Sequence, residues 1–163
     1  MPRLKRDMQE DEAASSFFRS TLYLHIRNNG ISLKEIEKFI AFPRIIANPG
    51  ISLESLAGLL DVPLQVRDLI MYNTGMGIKM LEEDGLVEMN DNRVSPTEKG
   101  IRLFRFLCDR EAVDTWLSRE ASKARSEGVE MVQFANNASK ARAIISNMSR
   151  TYEDGAKDVA RQS

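Results

Sequence analysis

Apolar residues recur along this chain at intervals of three and four, interrupted once by a short stretch that alternates, so the pattern predicts several helices around a single hairpin. From Ala13 to Arg27, the residues Phe17, Phe18, Thr21, Leu22, Tyr23, Leu24 and Ile26 make a helix with a broad apolar face, ended by Asn28-Asn29-Gly30. A second helix begins at Ser32, where Glu35 completes a capping box; Leu33, Ile36, Phe39, Ile40, Ile45 and Ile46 are expected inward. Pro43 should bend it, because proline lacks an amide proton and crowds the carbonyl one turn earlier. Asn48-Pro49-Gly50 turns the chain, and Ser52 caps a short helix, Leu53 to Leu60, with Leu56, Ala57 and Leu60 facing the core.

The segment from Val62 to Met71, with Pro63, Val66, Leu69 and Ile70, reads as an extra turn or short helix. The following helix runs from Tyr72 or Asn73 to Asp84, with Ile78 and Leu81 inward and Thr74, Met76 and Lys79 on the outer face. Gly75 and Gly77 are unusual there, since each costs about 1 kcal/mol relative to alanine inside a helix. They imply either a late helix start, the reading adopted here, or close backbone approach to a partner. Gly85 supplies a left-handed residue to end the helix; Leu86-Val87-Glu88-Met89 and Arg93-Val94 form a hairpin around Asn90-Asp91-Asn92. Ser95 is the expected N-cap of the next helix, with Pro96 at its first position and Glu98 completing a capping box. That helix, Pro96 to Arg110, carries Ile101, Phe104, Leu107 and Cys108 on its apolar side. Glu111 to Ser126 continues with Val113, Trp116, Leu117, Ala121 and Ala124, and after Gly128 a long helix is lined by Val129, Val132, Ala135, Ala138, Ala141, Ile144, Ile145 and Met148.

A helix stopped at glycine, a tight polar hairpin and a freshly capped helix resemble the wing region of winged helix-turn-helix regulators, most nearly the MarR-like group, and the resemblance covers Ser32 to Leu107. It implies a mainly α fold: a winged helix-turn-helix domain with a small β-hairpin wing, flanked by N- and C-terminal dimerisation helices. The corresponding organisation is a flexible arm (1–12), an N-terminal dimerisation helix (13–31), the winged domain (32–108), a C-terminal helical dimerisation region (109–151) and a flexible tail (152–163). The resemblance also implies duplex DNA as partner, with the helix from Asn73 in the major groove. Asn73 would read adenine, Thr74 a phosphate or thymine methyl, and Lys79 a phosphate. At the wing, Asn92 and Arg93 are candidate contacts, Asp91 and Arg93 matching the acidic and basic pair of MarR-like wings; Ser52, Gln65 and Arg67 are further phosphate candidates. A homodimer is expected independently, because the apolar stripes of the terminal helices exceed what one small core can cover. A small apolar effector could bind where those helices meet the winged core.

Charge pulls against this reading. The chain has 163 residues with 23 basic and 24 acidic side chains, a net of −1, and residues 61–105 carry a local net of −2, whereas nucleic-acid binders usually present a basic surplus. The alternative is therefore a winged-helix protein-protein interaction module with little or no DNA binding. No apolar run approaches the roughly 20 residues of a membrane span, and nothing resembles a signal peptide, so a soluble, cytoplasmic protein with no membrane partner is expected. Cys108 is the lone cysteine and is expected in the core; with a single histidine, His25, no zinc site within the chain is anticipated. No catalytic constellation, phosphate loop or dinucleotide frame is present, so neither enzyme activity nor a cofactor is expected. Met71, Met76, Met80 and Met89 cluster around the recognition helix and wing, where thioethers suit core filling or an adaptable surface.

Overall fold

The computed structural model describes residues 2–23, 31–58 and 62–162. His25, the expected Asn28-Asn29-Gly30 helix stop and Leu60 lie outside them. The architecture is mainly helical with one small antiparallel sheet: α1 (Pro2–Phe17), α2 (Arg19–Leu22), α3 (Leu33–Ala47), β1 (Ile51–Ser52), α4 (Leu53–Leu56), α5 (Leu64–Glu83), β2 (Val87–Asn90), β3 (Arg93–Pro96), α6 (Glu98–Leu107), α7 (Arg110–Ser126) and α8 (Met131–Gln162). The chain divides into two compact units, Met1–Ile31 with Arg102–Ser146, and Ser32–Ile101 with Asn147–Ser163. Among the described residues, no helix is long and apolar enough to cross a membrane.

The first unit builds its core from the terminal helices. Ala14, Phe17, Phe18 and Leu22 are buried with Leu103, Phe104, Phe106, Leu107, Val113, Trp116 and Leu117. The Trp116 ring lies 5.9 Å from Phe18 and 6.3 Å from Phe106, centre to centre, in tilted and edge-on contacts. Four polar side chains inside, Ser15, Tyr23, Trp116 and Glu120, are matched to one another. The Trp116 indole donates to Ser15 Oγ at 3.0 Å, Ser15 donates to Glu120 Oε1, and the Tyr23 hydroxyl donates to Glu120 Oε2 at 2.7 Å. Asn137 is fully buried because its amide donates to the Leu22 carbonyl at 2.9 Å. Thus the stripes assigned from sequence to a dimer contact are largely consumed within one chain.

Several expectations for this unit change. Residues 2–12, read as an arm, are helical, and a break at Phe18 separates α1 from α2. The segment 152–162, which belongs to the second unit and was read as a tail, continues α8. Cys108 is exposed while its neighbour Leu107 is buried, so it sits just past the apolar face of α6. On α8, Ala141 and Ile145 point inward as expected, whereas Val132 and Ala135 point to solvent and the bulkier Phe134, with Asn137, takes the inward side in their place.

In the second unit, Ser32 caps α3 by accepting from the Glu35 amide at 3.3 Å, as expected. Phe39, Ala41, Phe42 and Ile45 face the core, but Leu33, Ile36 and Ile40 do not: they are 49, 42 and 45% exposed. α3 is apolar on two sides, and the side carrying the larger rings is the one buried. α4 is a single turn whereas eight residues were expected helical. α5 is one continuous helix of 20 residues, so the separate turn and late start expected before Asn73 do not occur. Gly77 accounts for its packing. A Cβ there would lie 2.7 Å from backbone atoms of Glu37 and Lys38, so α3 crosses α5 backbone to backbone at this residue. The close approach is to another helix of the same chain. β1 pairs antiparallel with β3 and β3 with β2, giving the order β1-β3-β2, with Ile51 and Met89 both in register with Val94.

Two predictions follow from this packing. Gly77→Ala should destabilise the fold by about 1–3 kcal/mol, since overpacking outweighs the gain in helix propensity. Gly75, two residues away with open space around its Cα, should tolerate alanine and gain about 0.5–1 kcal/mol; denaturant melts in which both variants move the same way would refute the assignment of the crossing. In the first unit, burial, the Glu120 hydrogen bond and the charges of Glu120 and Glu127 push the Tyr23 phenol above its ordinary value of 10.0, against a smaller opposing effect of Arg19. A raised acid contributes its full stabilisation below pH 10.0 and loses it as pH climbs, because unfolded Tyr23 ionises first. Tyr23→Phe should therefore flatten the alkaline loss of stability. An unchanged alkaline limb in urea melts would show that Tyr23 does not drive it.

Candidate functional site

α5 and the β2–β3 hairpin carry most of the candidate contact residues. α5 ends as its sequence dictates. Gly85 adopts φ of 72°, its amide donates to the Glu82 carbonyl and the Leu86 amide to the Leu81 carbonyl, both at 2.9 Å, which closes a Schellman motif. Asp91 supplies the left-handed residue of the hairpin turn with φ of 58°. The helix after the hairpin starts at Glu98, two residues beyond the predicted Pro96. Ser95 and Pro96 belong to β3, and Thr97 is the cap: its hydroxyl accepts from the Gly100 amide at 3.1 Å and donates to the Gly85 carbonyl at 2.5 Å. Gly100 is required beside it, because a Cβ there would stand 2.1 Å from the Leu86 carbonyl oxygen.

Continuity of α5 changes which side chains share its outer face. Gln65, Tyr72 and Lys79 recur every seven residues, two turns apart, and all three are exposed. They present an amide, a phenol and an ammonium along one line, flanked by Asp68 and Glu83. Tyr72 was missed as a surface contact because it was read as the helix start, although the spacing to Gln65 and Lys79 is visible once a single helix is assumed. Thr74 is only 6% exposed, so it cannot occupy the outer face assigned to it. Asn73 turns toward α3, where with Glu37, Ile40, Arg44, Leu56 and Ile70 it lines a cleft of about 220 Å³.

The remaining candidates are tied into the fold. Ser52 caps α4, accepting from the Ser55 amide at 3.2 Å. The Arg67 guanidinium donates from Nε to the Val62 carbonyl at 3.0 Å, holding the turn before α5. At the hairpin, the Asn92 amide donates to the Glu54 carboxylate at 2.5 and 2.6 Å, and Arg93 donates to the Gly50 carbonyl at 2.9 Å. The hairpin tip is thereby fastened to the β1–α4 segment, with Asp91, Asn92 and Arg93 all exposed.

Beneath α5 the unit buries a charge. Lys38 is 2% exposed, with its ammonium 3.7 Å from Glu35 and 4.9 Å from the centre of the Phe39 ring. Burial lowers its pKa, opposed by the negative charges of Glu35 and Asp84. Its ammonium lies inside the α3–α5 contact, out of direct reach of a partner at the surface. Among the described residues, no group of three or more His, Cys, Asp or Glu side chains is placed to hold a metal ion.

The hairpin-to-helix joint gives a direct test. Thr97→Ala should cost about 0.5–2 kcal/mol, the usual loss for an N-cap, and should speed amide exchange at Gly100. Ser95→Ala should cost much less, and the reverse ranking would place the helix start back at Ser95.

No protein-family model, curated protein or solved structure matches this chain, so its functional reading rests on the geometry above.

Proposed function

We propose that residues 32–101 form a winged helix-turn-helix of the MarR-like kind, and that the protein is a transcriptional regulator binding duplex DNA through α5 and the β2–β3 wing. The observation that carries this is topological: the order α3-β1-α4-α5-β2-β3, with the sheet in the order β1-β3-β2, is the arrangement a winged helix requires. In this reading α5 enters the major groove with the line of Gln65, Tyr72 and Lys79. Gln65 stands at the N-terminal end of α5 and has the paired donor and acceptor that adenine presents to a side-chain amide. Tyr72 and Lys79 reach phosphates. Arg93 serves the backbone, exchanging the Gly50 carbonyl for a phosphate oxygen.

A second reading, a protein-interaction module, is favoured by one observation. Leu64, Val66 and Leu69 in the first turns of α5 are exposed, and such side chains gain little from a polar groove.

Binding measured on random-sequence duplex and on a duplex selected from a random pool, each titrated with salt, separates the two. Lys79→Ala and Arg93→Ala should weaken both complexes and reduce the salt slope by about one unit per lost phosphate contact. Gln65→Ala should cost about 1–3 kcal/mol on the selected duplex and much less on random DNA. Asn73→Ala should leave both unchanged. Absence of binding at low salt would defeat DNA recognition and leave the interaction module.

A further inference from the structure

We propose that a second copy of this chain docks on the exposed face of α3, with the two α3 helices antiparallel about a two-fold axis beside Ile40. Leu33, Ile36 and Ile40 fall at i, i+3 and i+7 and remain 49, 42 and 45% exposed, forming an apolar seam along one side of the helix. Among the described residues, Val132 is the sole large hydrophobic side chain this exposed in the first unit; the others gather on α3 and α5. The apolar surface that calls for a cover is therefore in the second unit, and the terminal helices assigned to dimerisation from sequence already cover one another.

The charges beside the seam specify the occupant and its direction. Glu37 lies three residues before Ile40 and Arg44 four residues after it, so their midpoint falls between Ile40 and Ala41. An antiparallel copy centred there sets Glu37 of each chain opposite Arg44 of the other, making two ion pairs from one pattern. A parallel copy would oppose like charges. Such self-complementarity is what a closed two-fold contact demands. Arg44 gives one N–H to the Leu56 carbonyl at 3.3 Å and keeps further guanidinium donors for a carboxylate.

Shape agrees with charge. The cleft of about 220 Å³ lined by Ile40, Arg44, Leu56 and Ile70 opens beside the seam. With the axis between Ile40 and Ala41, Ile36 of one copy comes level with Ile45 of the other, one residue from Arg44, where the cleft offers a recess for its side chain. Seam and cleft thus act as knob and hole on each protomer. The contact involves neither DNA nor the outer line of α5, so it stands or falls separately from the proposed DNA binding.

Charge reversal tests it. The wild type should sediment at twice the chain mass of 18.4 kDa, and Glu37→Arg and Arg44→Glu should each sediment at that single mass, because each sets like charges together twice. An equimolar mixture of the two single variants should recover the dimer, since one ion pair re-forms as in the wild type and the other with its signs exchanged, and the double variant E37R/R44E, in which both pairs are exchanged, should dimerise by itself. Recovery in the mixture also shows that the separate variants were folded. A monomeric wild type, single variants that stay dimeric, or a mixture that stays monomeric overturns the proposal.

Discussion

The crossing of α3 over α5 at Gly77 is the contact on which the second unit depends. Absence of a side chain at this one position lets two backbones approach within van der Waals distance of Glu37 and Lys38. Helices that close leave no room for water, and the consequences spread outward. Lys38 is sealed in and relies on Glu35 and the Phe39 ring to offset its desolvation. Thr74 is drawn inward one turn before the crossing and Leu81 one turn after it, which leaves Gln65, Tyr72 and Lys79 on the opposite side. The polar face that α5 turns outward is thus a by-product of where the helix is anchored.

Each unit holds a buried carboxylate, and the two are treated differently. Glu120 receives hydroxyl donors from Ser15 and Tyr23, so neutral dipoles satisfy it, and burial together with that hydrogen bond holds the tyrosine proton more tightly. Glu35 has a buried cation beside it, a solution in which either partner left alone would be costly. Networks of the first kind constrain orientation through several hydrogen bonds and position α7 against α1. The second kind has less directional control, and here direction comes from the glycine crossing.

α5 carries two chemistries on one helix. Its outer line is polar and compatible with a phosphate backbone and base edges, whereas its first turns also expose Leu64, Val66 and Leu69. The hairpin is held down by Glu54 and Gly50 rather than extended, so its arginine starts from an engaged state. Any partner that uses Arg93 must supply a better acceptor than a backbone carbonyl, and a phosphate does so by its charge.

Short-range signals were legible in the residues themselves. The Ser32 cap, the Gly85 helix stop, the turn at Asp91 and the glycine at Gly128, where φ is 84°, all depend on dihedral angles and hydrogen bonds spanning a few neighbours. The mainly helical class and the hairpin followed from them. Tertiary structure decided what those signals cannot express. Periodicity located the apolar residues of α3 but could not choose between the side bearing Leu33, Ile36 and Ile40 and the side bearing Phe39, Phe42 and Ile45, since both fit a helix. The glycines of α5 read locally as weak helix positions; Gly77 becomes a contact only when α3 lies across it. Ser95 and Thr97 both offer a capping hydroxyl, and pairing of β3 with β1 and β2, together with the Gly85 carbonyl within reach of Thr97, selects the second. Local chemistry sets where elements begin and end, while the face each one buries depends on energies that exist only when a neighbour is in place.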